Sequence, residues 1–492
     1  MKISISYPSL DDSPGVPLLA QNRQFQWFDN PTYIYPIVPA TAATLLKRAG
    51  FDVFWDDGIA EGLDYATWLR RLRSERPDVV AIETKTPVVK RHWEIIRELK
   101  GCASGGWNPV VVLMGDHVTA LPAESMDKSP VDFVLTGGDY DLLLASLAGH
   151  LTGGAAALEP GIWFRDHGAV RSTGRFTLDH DIKGLPRIDR DLTRWELYSR
   201  RNGNFKRLPG TYIMAGRDCW WGRCSFCSWT TLYPKFRVRT PEDVLDEVGE
   251  LIESYGVREI MDDTGSFPTG GWLREFCRGM IGRGYNRKVI LDCNMRFGAL
   301  KAADYALMKK AGFRLLLFGL ESASQATLDR LDKGIELAGV DESLQYARSA
   351  GLYPHITIMF GYPWETCDEA METIKYGRRL LKKGLAWTVQ ATVVIPYPGT
   401  PLYEYCRRKG LLKTGDWDAY DMRGAVMDAP HDAGDMQGMV RKIYSTAFSP
   451  EFIARRFLAM RDLDDLRYLL RASTKVLGHL TDFKARGKGA RG

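Results

Sequence analysis

Between Gly216 and Trp229 the chain reads GRDCWWGRCSFCSW, so Cys219, Cys224 and Cys227 fall within nine residues of a protein that holds eight cysteines among 492 residues. Thiolates at this spacing bind soft metals or exchange disulfides. A structural zinc site wants four ligands. No histidine lies between His180 and His355, and the nearest other cysteines, Cys277 and Cys293, fall in a helical pattern and at a strand end. A dithiol pair at Cys224 and Cys227 fits CxxC spacing but leaves Cys219 without a role and has no thioredoxin-like context. An iron–sulfur cluster held by three cysteines, with its fourth iron open to a small-molecule ligand, uses all three thiols and needs no fourth. Zinc and the dithiol remain as alternatives.

Such a loop needs rigid elements on either side. The strand TYIMA, from Gly210, leads into it, and TPEDVLDEVGELIESYG follows as a helix. Thr240 is its cap, Pro241 its first residue, and Asp243 stands three residues after the cap. Val244, Leu245, Val248, Leu251 and Ile252 make its apolar stripe, which ends at Gly256. Further strands read REIMDD, VILDCN, RLLLFGL, HITIMFG and VQATVVIP, with helical patterns between them. Six such units predict an open, partial (β/α)6 barrel over 210–422 instead of the eight of a complete one.

Residues 1–185 alternate in the same manner. ISISYP, FDVFWDD, DVVAIET, VVVLMG and DFVLTGG predict an α/β, Rossmann-like domain built on a five-stranded parallel sheet. Ligands of such sheets gather at the carboxyl ends of the strands, where Thr84, Thr86, Gly115, Asp116, His117, Gly137 and Gly138 stand. WFRDHGAVRSTGRF reads as a hairpin-like connection, and 186–209 as a polar linker. Residues 423–483 form a helical region, and KARGKGARG at 484–492 a basic disordered tail. The aromatic stretch NRQFQWFDNPTYIYP reads as packing between domains rather than as a site for a planar ligand.

With 66 basic and 61 acidic residues the net charge of +5 does not by itself point to nucleic acid. Eight cysteines do not make a disulfide scaffold, and MKISISYPSL lacks the apolar core of a secretory signal. No apolar run approaches the ~18 residues of a spanning helix. A cytoplasmic chain without a transmembrane segment is expected.

The cysteine loop after the first strand of a six-unit barrel, with Phe226 inside its last CxxC, resembles the signature of radical S-adenosylmethionine (SAM) enzymes. MDDTGSF, CNMRFG, GLES, GYPWET and PYPGTPLY follow in order at the ends of the second to sixth strands, and this series carries the resemblance further than any one fragment. The resemblance implies a [4Fe-4S] cluster on Cys219, Cys224 and Cys227 that binds SAM and cleaves it reductively. Phe226, Asp262, Asp263, Arg296, Glu321 and Ser322 would form the SAM pocket. The family spacing is C-x3-C-x2-C, whereas four residues separate Cys219 from Cys224 here. A bulge at Gly222 is expected to absorb the extra residue.

YPSL, VVVLMGDHVTALPAE and DFVLTGGDYDLL are similar to the cobalamin-binding domain of cobalamin-dependent radical SAM enzymes. That resemblance implies cobalamin beside Thr84, Thr86, Gly115, His117, Thr119, Gly137, Gly138 and Asp139. GDHVTA is not the D-x-H-x-x-G motif, so His117 is expected in the pocket and not on cobalt. Methylthiotransferases are set aside: their N-terminal domain carries cluster cysteines, where this one has only Cys102, and they end in a small β-barrel. The implied activity is methyl transfer to a carbon of a small-molecule substrate, with an electron donor such as flavodoxin or ferredoxin and no nucleic acid. The alternatives are a cobalamin-dependent cyclase or rearrangement enzyme without net methylation and, from another class, a non-catalytic iron–sulfur or zinc-binding protein.

Overall fold

The computed structural model describes residues 1–10, 15–19, 25, 27–29, 31–102, 106–154, 157–430, 438–439, 442–446, 449–460 and 462–471. The β-branched runs assemble two parallel sheets within one mixed α/β fold. In the first, the strands Asp52–Asp57, Lys2–Tyr7, Val79–Thr84, Val110–Gly115 and Phe133–Leu135 lie side by side in that order, all parallel. This sheet has seven strands, not the expected five. Ile162–Asp166 pairs antiparallel with Phe133–Leu135, and Ala169–Ser172 pairs antiparallel with Ile162–Asp166. His167 and Gly168 between them both have positive φ, +48° and +87°, the hand that a tight two-residue hairpin requires. The reason for the addition is the open edge: the last parallel strand is only three residues long, and the hairpin satisfies its outer hydrogen-bonding groups.

The second sheet holds six parallel strands in chain order: Gly210–Ile213, Glu259–Asp262, Ile290–Met295, Phe313–Glu321, Tyr353–Phe360 and Thr388–Val393. The expected helix runs Pro241–Glu253, with the Thr240 side chain accepting from the Asp243 amide at 3.2 Å. Val244, Leu245, Val248 and Leu251 are buried on its stripe, while Ile252 is only partly so.

The segment 186–209 is no free linker. Arg190 is 2% exposed and donates to Thr211 Oγ1 (2.7 Å), the Tyr212 carbonyl (2.9 Å) and Glu247 (3.2 Å), with its guanidinium 4.4 Å from the Tyr35 ring. Tyr198 donates to Asp57 at 2.6 Å. Polar residues suggested solvent exposure; instead they pair across the two sheets, as buried polar groups must. Tyr33 and Tyr35 of the aromatic stretch pack in the same seam.

After the second sheet the chain returns to the first: Trp417 Nε1 donates to Glu124 at 2.9 Å, and Lys90 pairs with Asp416 and Asp418. Of the expected C-terminal helical region, Pro450–Leu458 and 463–471 are helical. Residues 472–483 and the basic tail lie outside the described residues. No helix among the described residues is long and apolar enough to cross a membrane.

Candidate active site

The cysteine loop leaves the first strand of the second sheet through a short ladder, Gly216–Arg217 against Arg237–Val238. It is then tied down by its own backbone: Cys219 bridges to Ser266, the Ser225 amide donates to the Leu331 carbonyl (2.9 Å), and the Ser225 carbonyl accepts from Leu402 (2.9 Å). Gly222 has φ +61°, the left-handed turn that accommodates the extra residue between the first two cysteines. Gly265 lets the second strand end approach the loop, because a Cβ there would meet Asp218 Oδ2 at 2.6 Å and Cys219 Cβ at 2.8 Å.

None of the three cysteines is in a disulfide; all are partly exposed and line one cavity of about 460 Å³. Residues of all six strands of the second sheet also line it: Tyr212, Met261, Asn294, Leu317, His355 and Gln390 stand for one strand each. The first half contributes Leu18, Phe28, Thr32 and Ile34.

Of the residues expected to hold SAM, Phe226, Asp263, Arg296 and Glu321 line this cavity with the cysteines. Asp262 and Ser322 do not. Asp262 accepts from the Ala215 and Thr264 amides, both at 2.9 Å, bracing the strand end; burial pushes its pKa to about 6. Ser322 is fully buried, accepts from the Ser324 amide (3.1 Å) and lies against Thr373. Sequence reasoning missed Lys333, whose Nζ donates to Glu321 Oε1 at 2.8 Å and sits 5.6 Å from the Phe226 ring centre. Burial works against its charge, but Glu321 and then Cys224 hold its pKa above the usual lysine value. Burial raises the Cys224 thiol, and Lys333 opposes that rise. No motif marks Lys333; it lies in a turn after the helix Gln325–Arg330.

Elsewhere in the lining, His355 Nδ1 pairs with Thr388 Oγ1 at 2.7 Å, and burial pulls the imidazole to about 4, so it is neutral near pH 7. Arg314 also lines the cavity, paired with Asp292 (2.5 Å) and Glu259 (2.8 Å).

None of the eight residues assigned to cobalamin lines this cavity. Thr84 Oγ1 pairs with His92 Nδ1 (2.7 Å), and Gly115, at φ +125°, lies so close to the Thr84 carbonyl that a Cβ would collide with it. Thr119 Oγ1 donates to the Gly115 carbonyl and accepts from the Gly137 amide. Side chains at Gly137 and Gly138 would run into Phe176 and Tyr233. His117 lies 3.2 Å from Thr86 Oγ1 and 3.4 Å from Glu124, between the Trp93 and Trp417 rings. Asp139 is held by Arg217 (3.0 Å), Arg237 (2.5 Å) and His180 (3.2 Å). Small residues at these strand ends thus admit the protein's own groups.

Three thiols without a fourth ligand are not a closed zinc site. Among the described residues no three His, Cys, Asp or Glu side chains converge as they do on a single ion. A cubane cluster holds its thiolates at separate corners and leaves one iron open, which suits this donor set.

The pattern of the radical SAM superfamily matches residues 213–377, from the first strand of the second sheet into the helix after its fifth. The cytidylyl-2-hydroxyethylphosphonate methyltransferase of Streptomyces wedmorensis is 31% identical over 399 residues, which cover 70% of this chain and 72% of that protein. The chain belongs to the radical SAM superfamily. An uncharacterized methyltransferase of Pyrococcus horikoshii is 27% identical to this radical SAM protein over 404 residues, 81% and 84% of the two chains. The anaerobic magnesium-protoporphyrin IX monomethyl ester cyclase of Cereibacter sphaeroides is 26% identical over 408 residues, 79% of this chain but only 63% of the cyclase. In fold, the radical SAM methyltransferase TsrM of Kitasatospora setae, solved with cobalamin and a [4Fe-4S] cluster, matches 98% of this chain and 99% of its own at a TM-score of 0.68 and 16% identity.

Proposed function

We propose that this radical SAM protein is a cobalamin-dependent C-methyltransferase. One observation carries the reading: three thiols outside any disulfide share a cavity with Asp263, Arg296, Glu321 and Lys333, and the remaining wall is largely apolar and drawn from both halves of the molecule. We read the second sheet as a partial (β/α)6 barrel around that cavity, with 1–185 as the cobalamin-binding half and 186–209 as the seam between them.

Bound there, cluster, SAM and cobalamin would supply the one-electron and methyl-transfer chemistry, and the protein supplies binding and orientation. Cys219, Cys224 and Cys227 hold the cluster. The carboxylates of Asp263 and Glu321 suit the amino and hydroxyl groups of SAM; Arg296 and Lys333 suit its carboxylate. Leu18, Phe28 and Ile34 from the first half and Val394, Ile395 and Tyr397 from the second give the cavity apolar lining of the kind that would cover a corrin ring and keep water from the reacting atoms. The eight strand-end residues of the first sheet are held by the protein's own partners, so a cobalamin tail would have to displace some of them. His355, Thr357, Thr388 and Gln390 offer neutral hydrogen-bonding groups to a substrate.

The test is anaerobic reconstitution with iron and sulfide, then reductant, SAM and hydroxocobalamin. A methyltransferase yields 5′-deoxyadenosine and, in the presence of reduced cobalamin, S-adenosylhomocysteine. A non-catalytic protein yields neither, and 5′-deoxyadenosine without S-adenosylhomocysteine points to the ring-forming alternative that the cyclase relative raises.

A further inference from the structure

The extra residue in the cysteine loop places Trp221 where it touches three elements at once. Its ring lies between two guanidinium groups, with Arg296 3.7 Å and Arg223 4.0 Å from the ring centre. Its Nε1 donates to the Asp332 carbonyl at 2.7 Å. Gly334, at φ +58°, lies flat against it, and any Cβ at that position would collide with the indole. Arg296 Nη2 in turn donates to the carbonyls of Lys333 and of Gly334, the latter at 2.6 Å. The turn Asp332–Lys333–Gly334 is thereby fastened to the cysteine loop by an aromatic plate and an arginine, and the residue at its centre is the one whose ammonium meets Glu321.

We propose that Trp221 is a positioning residue: it fixes Arg296 and the turn carrying Lys333, and so holds both cations in the cavity that the three cysteines line. The plate works through stacking and one hydrogen bond. A cation–π contact between partly desolvated groups is strong enough to select one arginine rotamer, and the indole N–H fixes the height of the turn. The inference rests on the cluster-and-SAM reading above and adds to it Trp221 and Gly334, to which that reading gives no role.

The test uses full-length, anaerobically reconstituted wild type, Trp221→Ala, Trp221→Phe and Gly334→Ala. It reads iron per chain, the electron paramagnetic resonance spectrum of the reduced cluster before and after adding SAM, and KM and kcat for 5′-deoxyadenosine release. Wild-type protein that binds no iron or cleaves no SAM sinks the cluster reading itself, whatever the variants do. Given an active wild type, Trp221→Ala and Gly334→Ala are expected to keep the iron, to raise KM for SAM about tenfold and to weaken the spectral change that SAM induces. Trp221→Phe, which retains the plate, should fall between. The proposal is overturned by an unchanged KM and an unchanged SAM response in Trp221→Ala, or by loss of iron in both Trp221→Ala and Gly334→Ala, which would make the residue part of the cluster's hold.

Discussion

The carboxyl ends of the two parallel sheets began as equivalent candidates for ligand sites and ended differently. At the second sheet, the thiols, the carboxylates of Asp263 and Glu321 and the cations of Arg296 and Lys333 open onto a shared cavity. At the first, glycines and hydroxyls stand at the same topological position, but Tyr233, Phe176, Trp417 and Arg217 have already occupied them. Strand-end position offers a site; the packing of the rest of the chain decides whether it stays open. The two ends also meet. Arg217, two residues before Cys219, is 4% exposed and donates to Asp141 (2.5 and 2.9 Å) and Asp139 (3.0 Å), which stand at the start of the helix Tyr140–Leu151. The root of the cysteine loop is therefore anchored in the first half.

The contrast can be broken most sharply at the thiols. Cys224→Ala should abolish iron binding in reconstituted protein, while Cys277→Ala, buried behind the sheet, should leave iron per chain unchanged. Equal iron in both variants would erase the distinction between the two sheets.

The next effect lies where the ends meet. Arg217→Met removes the guanidinium that pairs with the buried Asp141, while Asp139 keeps Arg237 and His180, and should cost about 3–5 kcal/mol of stability by denaturant titration. A loss under 1 kcal/mol would mean that the two halves do not depend on this contact.

A third measurement tests a feature that the two ends share. Burial raises both Asp57, in the first sheet, and Asp262, in the second, from the ordinary 3.8 to about 6. A carboxyl whose pKa is higher folded than unfolded binds more protons in the native state, so each contributes stability that is present below pH 4 and lost as pH rises toward 6. Asp57→Asn and Asp262→Asn should each flatten that decline, by on the order of 1–3 kcal/mol across the window. An unaltered slope in either variant shows its carboxyl to be ionised normally.

A last substitution, with an effect no larger, sharpens the comparison. Gly138→Ala forces a methyl group against Tyr233 and should destabilise the protein by about 1–3 kcal/mol before any cofactor is added. If stability is unchanged while hydroxocobalamin affinity falls, Gly138 borders a cofactor space after all, and the two strand ends are more alike than their packing indicates.

Much of this was legible in the chain. The cysteine spacing lies within one loop, and the helix after it announces itself through Thr240, Pro241 and an apolar stripe, because caps and periodicity are local properties. All six strands of the second sheet and the five parallel strands of the first were readable as β-branched runs. Other features were not. Asp262 and Asp263 are adjacent and chemically identical, and only the direction in which the strand ends puts one carboxylate under the Ala215 amide and the other in the cavity. Lys333 looked like one lysine among many until a turn brought it to Glu321. The segment 186–209 looked like a linker because charged and polar residues in sequence do not reveal their partners; Arg190 has its own in Thr211, Tyr212 and Glu247.

By itself the sequence determined the grouping of three cysteines in one loop, the order of the two α/β halves and the departure at Gly222, since each depends on spacing within a few residues. Tertiary structure alone decided which strand ends remain open, which of two neighbouring aspartates faces the cavity and which lysine reaches Glu321. Those outcomes depend on side chains that arrive from far along the chain, such as Tyr233 on Gly138 and Trp417 on His117, and no local pattern records which space they will fill.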